Sequence, residues 1–330
     1  MTSPRVAFFG SPDFAVPTLQ ALTHSAYRPV VVVTQPDRPA GRGRALRPPP
    51  VKVVAEAAGI DVLQPARLRA PAATSALAAY APDLQVIVAY GQILRPDVLS
   101  LPRFGTLNVH ASLLPRWRGA SPVTAAILAG DAETGATIMC VDEGEDTGDI
   151  LSSRVEPIRP QDDAGHLSER LAALGAALLL ETIPRWLSGE ITPQPQDDAL
   201  ATRARRLEKA QGRIDWTEPA AKISRQVRAF SPWPGATTDL HGAGLRIWRA
   251  SSSELELGEV ELGELGLDEA AAAPVKPGTV LAVGTTIDVA TGDGRLRIER
   301  LQRAGKQALD ARAFSNGEPD LVGRMLGASA

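Results

Sequence analysis

Over its first 110 residues the chain alternates short β-branched runs with helical patterns, and that alternation leaves few folds open. Arg5-Val6-Ala7-Phe8-Phe9 ends at Gly10, and Ser11-Pro12 then reads as a helix N-cap followed by proline at the first helical position. Residues 30–34 predict a second strand, with 84–89 and 106–110 as further ones. Helical spacing lies between them at 51–58 and 72–79. Strand and helix in turn imply a parallel sheet with right-handed crossovers. Ligands of such sheets sit beyond the carboxyl ends of the strands, which directs attention to the residues just after Phe9, Ala89 and Val109.

The second half reads differently. A long helix is expected over 164–187, with Leu167, Leu171, Leu174 and Leu178 at helical spacing. Residues 189–202 carry two prolines and little periodicity, and read as a linker. A helix at 219–229 then precedes short strands at 237–241, 245–250, 279–282, 286–290 and 295–301, separated by glycine-bearing turns. Several short strands in one small domain suggest a β-barrel, of the oligonucleotide-binding type. The expected division is therefore 1–188, a Rossmann-like parallel-sheet domain, 189–204, a linker, and 205–330, a small β-barrel. An acidic stretch near 251–275 interrupts two of the barrel strands and reads as a flexible surface insertion.

With 44% hydrophobic residues the chain can bury a sizeable core without cross-links, and its only cysteine, Cys140, cannot form an internal disulfide. Cys140 lies in the run Thr137-Ile138-Met139-Cys140-Val141 and reads as a buried structural thiol. No run approaches the ~20 apolar residues a membrane span needs, and the apolar stretch near Met1 is too short for a signal peptide. A cytoplasmic location is expected.

The net charge of −3 conceals an asymmetry. Residues 251–275 hold seven acids and no base, so the remainder carries +4. Five bases and no acid lie between Arg38 and Lys52 (Arg38, Arg42, Arg44, Arg47, Lys52). Eight bases against three acids lie between Arg203 and Arg228, Lys209 among them. Such blocks hint at an anionic partner.

Two default chemistries for an open α/β sheet lack their motifs. Gly10-Ser11-Pro12-Asp13-Phe14-Ala15 is not the G-x-G-x-x-G of a dinucleotide site, and no Walker A lysine pattern occurs. The informative stretch is Asn108-Val109-His110-Ala111-Ser112-Leu113-Leu114-Pro115-Arg116-Trp117-Arg118-Gly119. Asn108 and His110 are two apart at a strand end, so their side chains share one face. One offers an amide donor and the other a titratable imidazole, at the edge where a reacting atom would sit. Downstream, Asp142-Glu143-Gly144-Glu145-Asp146-Thr147-Gly148-Asp149 holds five acids in eight residues but not the order of an EF-hand. Its glycines allow a tight loop that can carry one carboxylate to the imidazole. The four histidines never fall at zinc-ligand spacing, so no metal site is expected.

Asn-x-His-x-Ser-Leu-Leu-Pro followed downstream by Asp146-Thr147-Gly148 resembles the signature of the folate-dependent formyltransferases. Gly10-Ser11-Pro12-Asp13-Phe14, the run from Thr34 to Gly43, Val88-Ala89-Tyr90-Gly91, Arg213-Ile214-Asp215-Trp216 and Phe230-Ser231-Pro232-Trp233-Pro234 also look like family blocks, in family order. They look most like those of the members that act on initiator methionyl-tRNA. The resemblance implies a Rossmann-like catalytic domain with an oligonucleotide-binding-fold domain behind it, and 10-formyltetrahydrofolate as formyl donor. It implies that Asn108, His110 and Asp146 are catalytic, that Ser112, Leu113, Leu114 and Pro115 line the folate site with Val88 and Ala89, and that no metal takes part. Arg38, Arg42, Arg44 and Lys209 are the residues expected to hold tRNA, and a monomer is expected. The competing readings are a formyltransferase for a sugar-nucleotide amine or for glycinamide ribonucleotide, and an RNA-binding protein that has lost catalysis. Against the last stands the presence of all three residues Asn108, His110 and Asp146.

Overall fold

Phe8 and Phe9 are adjacent in sequence and point into opposite cores, both fully buried, because successive side chains of a strand leave opposite faces. Their strand, β1 (Val6–Gly10), is therefore covered on both sides, as the centre of a parallel sheet must be. The structure, a computed structural model, describes residues 3–40, 45–253 and 275–327. Arg42 and Arg44 of the basic stretch and most of the acidic insertion lie outside the described residues.

The described residues form two compact units. The first comprises Met1–Val123, Ala132–Ile158 and His166–Arg205. After β1 its elements are α1 (Val16–Thr23), β2 (Pro29–Val33), β3 (Arg38–Ala40), β4 (Ala45–Arg47), α2 (Pro50–Ala57), β5 (Asp61–Leu63), α3 (Pro71–Ala78), β6 (Leu84–Val88), α4 (Pro96–Leu99) and β7 (Thr106–His110). Then come α5 (Pro122–Ala129), β8 (Glu133–Cys140), β9 (Ile150–Pro157) and α6 (Ala164–Leu187), the first and last of which extend beyond this unit. The seven-stranded order is β5-β2-β1-β6-β7-β8-β9. Its first five strands are parallel, whereas β8 runs antiparallel to β7 and β9 antiparallel to β8. The sheet is therefore mixed rather than wholly parallel. The two added strands form an edge hairpin whose outer member, apart from the buried Leu151, alternates half-buried and exposed residues, a weaker signal than a continuous apolar run.

The cores follow from the alternation. Leu19 and Leu22 of α1, Val51 and Ala55 of α2, and Leu178, Leu179 and Ile183 of α6 share one cluster with Phe8, Leu107 and Val109. Leu77 of α3 and Val98 of α4 join Phe9 in the other. Burial of each of these valine, leucine, isoleucine and phenylalanine side chains contributes about 1.5–3 kcal/mol. Ser11 departs from its expected role as a helix cap. A 3₁₀ turn, Asp13–Ala15, precedes α1 with no side-chain cap. The Ser11 hydroxyl instead accepts from the Gln35 N–H at 3.1 Å and from the Thr34 hydroxyl at 3.3 Å, which joins the ends of β1 and β2.

Residues 189–204, which read as a linker, are fastened to the first unit. Ile150 and Gln194 exchange both backbone hydrogen bonds, at 2.8 and 2.9 Å. Arg118 N donates to Thr202 O at 2.9 Å, and Ala204 N donates to Arg118 O at 2.7 Å. Single bridges of this kind impose no side-chain period, so the segment looks irregular in sequence while its backbone is held.

The second unit comprises Thr124–Asp131, Arg159–Gly165 and Arg206–Ala330. It is thus not one continuous stretch. Leu128 O accepts from Arg225 Nε at 3.2 Å, Asp162 O from Arg228 at 2.9 Å, and Gly165 N donates to Ser231 O at 3.1 Å. Its elements are α7 (Ala220–Ala229), β10 (Ala236–Leu240), β11 (Ala243–Ser253), β12 (Val280–Val283), β13 (Ile287–Ala290), β14 (Arg295–Arg303), β15 (Ala308–Asp310) and α8 (Ala311–Ser315). The strands form one antiparallel sheet, ordered β10-β11-β14-β13-β12 with β15 on β14. Ile223 and Val227, four apart on α7, pack with Ile247, Val289, Leu296 and Ile298. The sequence led us to expect a helix followed by a small barrel of short strands; behind α7 the strands form this one antiparallel sheet.

Candidate active site

Strand β7 presents its functional residues by simple alternation. Leu107 and Val109 are buried in the helix-covered core, so Thr106, Asn108 and His110 face the other way. The strand is held between β6 and β8, with Asn108 opposite Ile87 and Met139, and His110 opposite Thr137. Asn108 is half-buried and His110 is 6% exposed.

The acidic loop between β8 and β9 brings Asp146 to this strand end. Asn108 Nδ2 donates to Asp146 Oδ1 at 3.3 Å, and Gly119 N donates to Asp146 Oδ2 at 2.8 Å. His110 Nδ1 stands 3.6 Å from Asp146 Oδ2, beyond hydrogen-bond reach. The other ring nitrogen, Nε2, lies 2.9 Å from the Trp117 carbonyl oxygen. A carbonyl only accepts, so Nε2 carries hydrogen, and the neutral ring then has its lone pair at Nδ1, toward Asp146. The imidazole is thereby fixed in tautomer and plane, with Nδ1 the nitrogen available for proton exchange.

Three residues other than glycine at this edge adopt left-handed backbone: Ala89 (φ +48°), Trp117 (φ +62°) and Asp146 (φ +56°). Each costs about 1–2 kcal/mol, offset by what the surrounding contacts gain. Trp117 is held by its N–H to Thr202 Oγ1 at 2.8 Å, which turns its carbonyl to His110. The loop carrying Asp146 closes through its glycines. A Cβ on Gly148 would overlap the Cys140 carbonyl oxygen and lie 2.9 Å from the Cys140 carbonyl carbon. Neither atom can readily yield, because the Cys140 backbone is paired with Leu107 of β7 and its N–H donates to Asp149 O. Gly148→Ala is expected to lower stability by about 1–3 kcal/mol and to depress turnover with it. Thermal unfolding and kcat measured on one preparation check this; an unchanged melting temperature would contradict the crowding.

Cys140 itself is half-buried at the end of β8, less enclosed than expected. Burial first and the Asp149 carboxylate second push its thiol up to about 11, so it stays protonated near neutrality and is no nucleophile.

The residues expected to line a folate site divide by exposure. Val88 is wholly buried, Ser112 likewise, and Leu114 nearly so. Ser112 donates its hydroxyl to Arg116 O at 2.6 Å and accepts at its carbonyl from Thr137 at 2.7 Å, so its polar groups serve the loop. Accessible apolar surface is left at Leu113, Pro115 and Ala89, with open space at Gly91.

Of the basic residues, Arg38 is exposed at the start of β3 and donates to Gln35 Oε1 at 3.1 Å. Lys209 is exposed in the second unit, at the start of the 3₁₀ turn Lys209–Gly212. Lys52 is spoken for, since its ammonium pairs with Asp37 at 2.9 Å. Hydrogen bonds from Gln64 first and Lys52 second hold the Asp37 carboxyl below its ordinary range, which anchors the base of the β3–β4 hairpin. The second unit also holds a cavity of about 500 Å³ lined by Arg213, Trp216, Pro277 and Met325.

Sequence reasoning overlooked the Trp117 carbonyl, the Gly119 N–H and the side chains of Arg118 and Gln196. Gln196 Nε2 donates to the carbonyl oxygens of Asp146 and Gly148, at 2.9 and 2.7 Å. Arg118 and Gly119 stood inside the informative stretch. Nothing in the irregular run around Gln196 marks it.

Residues 4–183 match the family described as formyl transferase, and residues 206–319 match the formyl transferase C-terminal domain. The methionyl-tRNA formyltransferase of Halorhodospira halophila is 50% identical over 95% of this chain and 96% of its own length. That of Methylococcus capsulatus is 47% identical over 98% and 99%. Among solved structures, a methionyl-tRNA formyltransferase from Clostridium thermocellum shares the fold at a TM-score of 0.53 and 17% identity, over 77% of this chain and 95% of that one. An N-formyltransferase from Helicobacter canadensis, in complex with folinic acid and dTDP-3-aminofucose, does so at 0.62 and 16%, over 91% and 99%. With a strand-end asparagine and histidine meeting a loop aspartate, and both family regions matched in order, the chain belongs to the formyl transferase family.

Proposed function

We propose that this chain transfers a formyl group from 10-formyltetrahydrofolate to the amino group of methionyl-initiator-tRNA. Near-full-length identity of 44–50% to curated methionyl-tRNA formyltransferases supports the acceptor. The meeting of Asn108, His110 and Asp146 at one strand end is the observation that carries the chemistry.

Formyl-folate supplies an activated one-carbon unit when bound, so no covalent enzyme intermediate is needed. The chain's own groups manage charge and protons. Asn108 spends one amide hydrogen on Asp146 and keeps the second for the formyl oxygen, where negative charge develops as the amine attacks. His110 Nδ1 takes the proton that the attacking amine releases. Asp146 Oδ2 then holds the imidazolium, and the same proton passes to the departing folate nitrogen as the carbon–nitrogen bond breaks. Because Nε2 is committed to Trp117, His110 serves in proton transfer and leaves the oxyanion to Asn108.

In this reading residues 1–188 perform the chemistry. Residues 205–330 hold the tRNA, with contacts from Arg38, Arg42, Arg44 and Lys209, and the enzyme works as a cytoplasmic monomer. Among the described residues no helix is long and apolar enough to cross a membrane. The test offers radiolabelled formyl-folate with methionyl-tRNA, glycinamide ribonucleotide or an amino-sugar nucleotide in separate reactions. Label is expected in the tRNA alone, and label in either small acceptor at a comparable rate overturns the assignment.

A further inference from the structure

We propose that Gln196, clamped by Arg118, is a positioning residue that sets the Asp146 carboxylate for catalysis. The proposal rests on the reading of Asp146 as a catalytic group. Arg118 is 4% exposed, and its guanidinium carries donors only. Its Nε donates to Gln196 Oε1 at 2.9 Å, which leaves one orientation for the Gln196 amide. Nε2 must then face away from Arg118, and both of its hydrogens are used, on Asp146 O at 2.9 Å and Gly148 O at 2.7 Å. Two carbonyls that flank Thr147 are thus drawn to one nitrogen.

The brace acts where the backbone is least willing. Asp146 has φ +56°, which few side-chain-bearing residues adopt without outside support. The same residue is held at its other end by the N–H of Gly119, 2.8 Å from Oδ2. Gly119 follows Arg118 in the chain. A closed circuit therefore runs from the Arg118 side chain through Gln196 to the Asp146 carbonyl, then through the Asp146 carboxylate back to the backbone beside Arg118. Asp198 steadies the outer side of the guanidinium at 2.8 Å. Sliding the loop by a fraction of an ångström would break this circuit and move Oδ2 relative to His110 Nδ1, already 3.6 Å apart.

The positioning claim can be separated from a merely structural one with two substitutions at this half-buried site. Gln196→Met keeps the shape and loses every hydrogen bond. Gln196→Glu keeps an acceptor for Arg118, as an ion pair, yet turns a carboxylate oxygen toward two carbonyl oxygens. Both are expected to lower kcat roughly 10- to 100-fold, with the Michaelis constants for formyl-folate and tRNA unchanged and near-UV circular dichroism preserved. The chain has only four histidines, His24, His110, His166 and His241, so imidazole nitrogen resonances provide a direct signature. The His110 pair should shift in both variants while the other three stay in place. Gln196→Glu with wild-type turnover, or a loss in Gln196→Met matched by a raised Michaelis constant and unmoved His110 resonances, overturns the proposal. Asp146→Asn measured alongside tells the two readings apart. If Asp146→Asn stays active, both fall. If it is inactive while Gln196→Met turns over normally, only the brace falls.

Discussion

Asp146→Asn is expected to lower kcat about 1000-fold, within the range for losing a positioned acid–base group, while the Michaelis constants for both substrates change little. The carboxylate receives the Asn108 amide on one oxygen and the Gly119 N–H on the other, and has the His110 ring beside it. An amide at this position has one acceptor atom. Its NH₂ must then oppose either the Asn108 amide or the Gly119 N–H, donor against donor, and it cannot hold an imidazolium. The backbone is not the cause, since asparagine tolerates the left-handed conformation at φ +56° as readily as aspartate does. Steady-state kinetics with near-UV circular dichroism check the result. A folded variant turning over within a few-fold of wild type removes Asp146 from the mechanism.

The second large effect concerns the formyl oxygen. Asn108→Ala is expected to lower kcat about 100- to 1000-fold, the usual cost of removing one oxyanion donor. Asn108→Asp should be at least as damaging, because it keeps the volume but sets a second carboxylate against Asp146 at the distance of the present 3.3 Å contact. Formyl-folate binding, measured by equilibrium titration, should be nearly unchanged in the alanine variant, since the amide matters most when charge has formed on the oxygen. A loss confined to folate affinity, with kcat preserved, would show that Asn108 is a binding group instead.

The elements most accurately anticipated were those whose pattern is repeated within a few residues. The expected strand at 106–110 and helix at 164–187 coincide with β7 and α6, because alternation and helical leucine spacing are local properties. The edge hairpin of β8 and β9 escaped notice, and with it the mixed character of the sheet, because an edge strand has only one buried face and leaves a thinner trace. Ser11 shows the opposite error, a good local cap signal outcompeted by hydrogen bonds to the neighbouring strand end.

For the candidate site, the amino-acid sequence alone determined that Asn108 and His110 share a face, since residues two apart on a strand must do so. Resemblance to a family, not spacing, supplied Asp146, because 36 residues separate it from His110 and no local rule links them. Only the tertiary structure decided which nitrogen of His110 is free, what grips the Asp146 carboxylate, and that an irregular run near residue 196 braces the loop. The physical reason is that much of this grip comes from backbone groups: the Trp117 carbonyl, the Gly119 N–H, and the carbonyls of Asp146 and Gly148. Nearly every residue carries the same N–H and C=O, so a sequence cannot say which of them will be aimed at a side chain. Their direction is set by the path of the folded chain.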